Sequence, residues 1–111
     1  MADGDPRARF PRFQQGNLER NLALLDALEK IAQERGLTAA QLAIAWVAAQ
    51  GEDIIPLIGT KRRSRLAEAL AALDVRLSPD ELAAIEAALP AGQVAGDRYD
   101  SYGMRSLDSE R

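Results

Sequence analysis

Residues 54–65 read Ile-Ile-Pro-Leu-Ile-Gly-Thr-Lys-Arg-Arg-Ser-Arg, and the fold turns on how they are understood. A mostly apolar run, Ile54 to Ile58, ends in Gly59 and Thr60; Lys61, Arg62 and Arg63 follow, and Arg65 opens the next helical pattern. A continuous apolar run between turn residues predicts a strand at 54–58, buried on both faces as in a parallel sheet flanked by helices. Pro56 argues against a central place, because it removes a ladder donor and fits a strand end. A strand that ends in a glycine turn, with cations where a helix begins, is also an arrangement that binds phosphate.

Outward from that stretch the sequence is helical. Upstream, Leu18, Leu22, Leu25, Leu28 and Ala32 recur at helical spacing and predict a one-faced helix from 18 to 35, with Asn17 as N-cap and Gly36 as stop. Thr38 and Gln41 form a capping box and Leu37 and Leu42 a hydrophobic staple, so a second helix begins at Ala39. It is apolar nearly all round, which predicts burial on several sides, with Trp46 as a core filler. Downstream, Leu66, Ala69, Leu70 and Leu73 predict a third helix with Ser64 as candidate N-cap. Ser78-Pro79-Asp80-Glu81 is a capping box with Pro at the first helical position; Leu77 and Leu82 staple it, and Pro90 with Gly92 ends the fourth helix.

The two ends lack a period. Residues 1–16 place Pro6, Pro11 and Gly16 among Arg7, Arg9, Arg12, Phe10 and Phe13, which predicts an extended arm with docked phenylalanines and solvated cations. Residues 91–111 read as a tail or loop. Between them, 17–90 give the order helix, helix, strand, helix, helix.

Composition narrows the function classes. Of 111 residues, 36 are Ala or Leu and five are aromatic, a balance that favours helix. Cysteine and histidine are absent, which removes disulfides, thiolate and imidazole metal sites, and Ser-His or Cys-His catalytic pairs. A net charge of -3 argues against a general polyanion binder, so any anion site is local. The N-terminus has no apolar leader segment and no window approaches the roughly 18 apolar residues of a membrane span, so the expectation is a cytoplasmic protein with no membrane or nucleic-acid partner.

A lone strand cannot satisfy its own backbone groups. Three readings stay open: the strand pairs with another copy, the chain is the C-terminal part of a larger α/β protein, or 54–58 is extended loop within a small helical domain.

The order helix, LTAAQLAIAW, strand, IPLIGTKRRSRLAEAL, LSPDELAAIEAAL resembles the C-terminal segment of an aldo-keto reductase, from about Phe10 into the tail. That likeness implies a fragment of a (β/α)8 TIM barrel, mostly helical with one buried strand at 54–58, so that 1–111 is a partial domain. It implies a carbonyl oxidoreductase family that uses NADPH without a Rossmann domain. Carried onto this chain, Gly59 and Thr60 match the backbone turn at the adenosine 2'-phosphate. Lys61 and Arg62 match positions whose charges face it, Arg65 the arginine that clamps it, and Glu68 a further cofactor-binding position. Two positions depart from the family pattern: Ile58 stands where a second Pro is usual, and Ala69 where an Asn touches the adenine.

The resemblance puts the catalytic Asp, Tyr, Lys and His on the first half of the barrel. Here no His is present, the lysines are Lys30 and Lys61, and the tyrosines are Tyr99 and Tyr102 in the tail, beside Met104. The expectation is therefore no catalytic residue in this chain, NADP(H) bound weakly or not at all, a carbonyl substrate only in a complete barrel, and self-association through an exposed barrel seam. Two other classes compete with this reading: a helical interaction module, and a helix-turn-helix DNA-binding protein prompted by Glu34-Arg35-Gly36-Leu37-Thr38. The would-be recognition helix offers Ala, Leu, Ile, Trp and Val in place of groups that read base edges.

Overall fold

The computed structural model describes residues 3–108; residues 1–2 and 109–111, the ends of the expected arm and tail, fall outside the described residues. Among the described residues five α-helices form: α1 (Asn17–Glu34), α2 (Ala39–Ala48), α3 (Arg63–Ala71), α4 (Pro79–Ala88) and α5 (Ser101–Met104). Two compact units divide the chain, one of residues up to Leu25 together with those from Ala91 on, the other of Asp26–Pro90.

In the second unit, local chemistry sets the helix starts. Gln41 N–H donates to Thr38 Oγ1 at 3.2 Å while Thr38 N–H donates to Gln41 Oε1 at 3.1 Å, the reciprocal box expected for α2. Ser78 and Glu81 repeat it at α4, with Glu81 N–H on Ser78 Oγ at 3.2 Å and Ser78 N–H on Glu81 Oε2 at 2.7 Å. Glu81 also accepts from the Arg35 guanidinium, which ties the end of α1 to the start of α4. Both bonds, that to Ser78 first, hold the Glu81 carboxyl below its ordinary range.

These helices enclose a small core. Ala32, Leu42 and Ile85 are buried together, with Leu28, Ile31, Leu37, Trp46 and Leu77 packed around them. The α3 helix and the 3-10 turn that extends it (Ala72–Asp74) pack on α2, with Ala69 and Ala72 buried. Four of the six buried hydrophobic residues described are alanines, so little large apolar surface is hidden. The burial expected for α2 is partial: Leu42 and Ala45 are buried, whereas Ala43, Ala48 and Ala49 are exposed.

The strand expected at 54–58 does not form, and no strand occurs among the described residues. The run is coil, with Ile55 82% and Leu57 96% exposed, and Ile54 N–H reaches only the Gly51 carbonyl at 3.1 Å. The reason lies in the strand itself, whose backbone groups need ladders on both edges that no neighbouring segment here provides. Beside it, Leu66, Leu70 and Leu73 form an exposed apolar stripe along α3 and its extension.

The first unit is better ordered than an extended arm and an aperiodic tail. Asp5 caps a 3-10 turn (Pro6–Arg9), accepting from Arg7 N–H at 2.9 Å, and a second turn spans Pro11–Phe13. Phe10 docks edge-on to Tyr99, ring centroids 5.4 Å apart. The Asn21 side-chain amide donates to the carbonyls of Arg12 and Ala95 and accepts from Ala95 N–H at 2.8 Å, pinning arm to tail. Asn17 does not cap α1; its amide donates to the Pro11 carbonyl at 2.9 Å. In the tail, Asp100 caps α5 by accepting from Gly103 N–H at 2.8 Å.

Candidate functional site

All six residues singled out between Gly59 and Glu68 line one cleft of about 480 Å³ in the second unit. Gly59, Thr60, Lys61 and Arg62 come from the coil before α3, Arg65 and Glu68 from its first two turns. Ile58 and Ala69 share the lining, and Ala40 and Ile44 of α2 complete it. The α2 residues could not be found from the cation run, because only the packing of α3 on α2 brings them there.

The coil turns into the helix through Thr60. Arg62 N–H donates to Thr60 Oγ1 at 3.3 Å and the Thr60 hydroxyl donates to the Arg62 carbonyl at 3.2 Å, so the side chain bends its own backbone. The helix then starts at Arg63 with Arg62 as N-cap, not with Ser64, which lies inside the first turn. The Arg62 side chain makes no capping bond, so the first turn of α3 lacks the side-chain acceptor that α2 and α4 have. Gly59 does not have a positive φ, and a Cβ built there meets no atom within 4 Å. The fold of the chain therefore makes no demand for glycine at this position.

The charges are arranged unevenly. Lys61, Arg62 and Arg63 have no ion-pair partner among the described residues and are exposed. Arg65 is paired, its guanidinium 2.8 Å from Glu68 Oε2, with the Glu68 side chain 17% exposed against 63% for Arg65. The Arg65 hydrogen bond, followed by one from Thr38, holds the Glu68 carboxyl below its ordinary range, and the pairing raises the Arg65 pKa. Gln41 Nε2 donates to the Glu68 carbonyl at 3.0 Å, joining the cap of α2 to this helix. What remains is a cationic rim beside the apolar side chains of Ala40, Ile44, Ile58 and Ala69. Such a site attracts an anion and offers apolar surface beside it.

Elsewhere the unit offers less. A cleft of about 320 Å³ lined by Leu28, Leu42, Trp46, Val47 and Leu89 is apolar, with Glu86 as its one charged group. The Trp46 indole N–H is buried and finds no acceptor among the described residues. Lys30 is exposed on α1, and Tyr99 and Tyr102 belong to the first unit. No cluster of three acidic, His or Cys residues suited to a metal occurs among the described residues, and no helix is long and apolar enough to cross a membrane.

Comparison with known proteins adds family information to this geometry. The model of the family described as aldo/keto reductase matches residues 2–90. Among curated proteins, aldo-keto reductase yakc of Schizosaccharomyces pombe, whose name specifies NADP(+), is 43% identical over 97 residues. That match covers 87% of this chain and 28% of the yeast protein, so the chain spans little more than a quarter of its relative. No solved structure matches significantly.

Proposed function

The chain belongs to the aldo/keto reductase family, and on that premise we propose that its cleft is a grip for the adenosine 2'-phosphate of NADP(H). The carrying observation is the cationic rim, with Lys61 and Arg62 unpaired at the uncapped start of α3. The residues suit that group. A near-dianionic phosphate gains from the first-turn amides and the helix dipole, from the point charge of Lys61, and from the forked donors of Arg62 and Arg65. Gly59 and Thr60 shape the approach, and Glu68 orients Arg65. The NADP(+) in the yeast relative's name supports the cofactor.

In this reading the segment is the C-terminal part of a (β/α)8 barrel in which 54–58 pairs as a strand. Bound NADPH supplies the hydride for carbonyl reduction. General-acid chemistry belongs to the other part of the barrel, since this chain has no His and no residue here is assigned a catalytic role. The isolated segment then binds NADP weakly and reduces no aldehyde. A cytoplasmic location, with no membrane or nucleic-acid partner, goes with this function.

Calorimetric titration with NADP and NAD tests the reading. NADP is expected to bind more tightly, by about tenfold as an exposed charge-assisted site allows, and Lys61→Ala with Arg62→Ala should erase the preference. Equal binding of the two dinucleotides sinks it.

The exposed Ile55, Leu57, Leu66, Leu70 and Leu73 favour a second property, self-association through the barrel seam. Sizing at increasing concentration checks it, and a species that stays monomeric rejects it.

A further inference from the structure

We propose that a second copy of this chain docks on the run 54–58, antiparallel to it, with Pro56 on the two-fold axis. This rests on the self-association reading above and names its edge, its partner and its register.

The run has the form of a half-buried strand. Its backbone neither turns nor bends from Ile54 to Thr60, and no residue in 54–58 has a positive φ. Exposure alternates along it: Ile54 and Ile58 are 42% and 44% exposed, against 82% for Ile55 and 96% for Leu57. Ile58 shares a cleft with Ala40 and Ile44 of α2, and Ile54 shares another with Ala45 and Leu82. The even residues thus lie toward the helices, and Ile55 and Leu57 point away from them.

The two edges of the run are unequal. In an extended chain the backbone groups of alternate residues face opposite edges. On one edge the Ile54 N–H is taken by the Gly51 carbonyl at 3.1 Å, and Pro56 has no N–H to offer. On the other, Ile55 and Leu57 keep their backbone groups unpaired among the described residues. Only that edge offers two successive unbroken positions. A second copy turned about an axis at Pro56 sets Ile55 of each chain opposite Leu57 of the other, and both pairs exchange their backbone hydrogen bonds. The prolines then face each other where no donor is called for, and the exposed aliphatic side chains become cross-strand pairs. An axis at Ile55 sets Leu57 against Asp53 instead, and an axis at Leu57 sets Ile55 against Gly59.

Charge fixes the direction and the occupant. Glu52 and Asp53 precede the run and Lys61 and Arg62 follow it, all exposed and none in an ion pair among the described residues. An antiparallel second copy brings each acidic end beside the other's basic end, whereas a parallel one sets like charges together. So short a ladder buries far less than the roughly 800 Å² a side of a standard interface, so the dimer is weak.

Sedimentation of the full chain at low ionic strength, up to about 1 mM, tests this. The chain should dimerise. Glu52→Lys with Asp53→Lys, and separately Lys61→Glu with Arg62→Glu, should each weaken the dimer about tenfold, and an equimolar mixture of the two variants should restore it. Pro56→Cys, the sole cysteine of its chain, should form an intermolecular disulfide in glutathione buffer, because residues facing each other there lie about 4.5 Å apart at Cα. Asp53→Cys, about 20 Å from its copy, should not. Unchanged helical circular dichroism checks that each variant folds. Association that ignores the charge reversals, fails to recover on mixing, or cross-links equally at 53 and 56 overturns the inference and leaves self-association standing. A chain that stays monomeric at the highest concentration overturns both.

Discussion

Replacing Arg65 with Ala separates the charges of the cleft more sharply than any other single change. In the structure the guanidinium sits 2.8 Å from Glu68 Oε2 and is largely exposed, while Glu68 is mostly covered. A 2'-phosphate at the start of α3 would share that guanidinium, and losing one charge-assisted contact at so exposed a site lowers affinity by about tenfold. A second effect adds to the first. Without Arg65 the Glu68 carboxyl loses the largest influence that depresses its pKa, yet stays ionised at neutral pH and leaves an uncompensated negative charge in the cleft. Arg65→Ala should therefore weaken NADP more than the double change Arg65→Ala with Glu68→Gln, and neither should alter the affinity for NAD. Calorimetry at low ionic strength, repeated in about 1 M salt, reads this, since screening over roughly 3 Å removes most of the difference. Equal losses for NADP and NAD, or a double variant no better than the single one, would refute the argument.

Three further outcomes are expected. Gly59→Ala should leave the thermal midpoint unchanged, because its Cβ meets no atom within 4 Å, and should weaken NADP through crowding of the approach; a loss of stability contradicts this. Leu42→Ala should cost about 2–5 kcal/mol in the second unit, since Leu42 is the largest fully buried side chain there, and a midpoint drop of under about 5 °C would contradict it. Asp5 should titrate at about 2 in place of its ordinary 3.8, because the Arg7 side chain and backbone bond its carboxylate. A depressed carboxyl stabilises the folded form above its unfolded pKa and loses that contribution as pH falls through the folded value. The first 3-10 turn should thus hold at pH 4 and loosen between about 3.8 and about 2, as read from Asp5 carboxyl shifts, and Arg7→Ala should return the titration toward 3.8.

The parts of the fold that depend on a few neighbouring residues were legible in the sequence. The Thr38–Gln41 and Ser78–Glu81 boxes place α2 and α4 to the residue, because each exchange of bonds closes within four positions. The Asp100 cap of α5 had the same kind of local signal, an oxygen three residues before the amide it accepts from, hidden in a stretch too short for periodicity. Ser64 misled at α3 because Thr60 had already turned the chain upstream of it. The strand expected at 54–58 is coil here for a different reason: its apolar run reports an environment of neighbouring strands, and pairing is a property of two segments. In the cleft, the cation run was visible in advance and the resemblance pointed to Arg65 and Glu68, whereas the ion pair between those two emerged only in the structure. Ala40 and Ile44 were not visible in advance, since nothing in their own neighbourhood distinguishes them from other apolar positions on α2.

The unpaired run at 54–58 has a consequence for the entropy of assembly. A free peptide that joins a sheet must surrender its overall freedom and fix both ends as it pairs. Here the segment is anchored at each end, by the close of α2 on one side and by the Thr60 turn into α3 on the other, and those two helices pack together. Much of the loop-closure loss has thus been met when the helices fold. A strand that pairs with 54–58 meets backbone whose span is already set, so the coil is a primed edge whose remaining requirement is a neighbour.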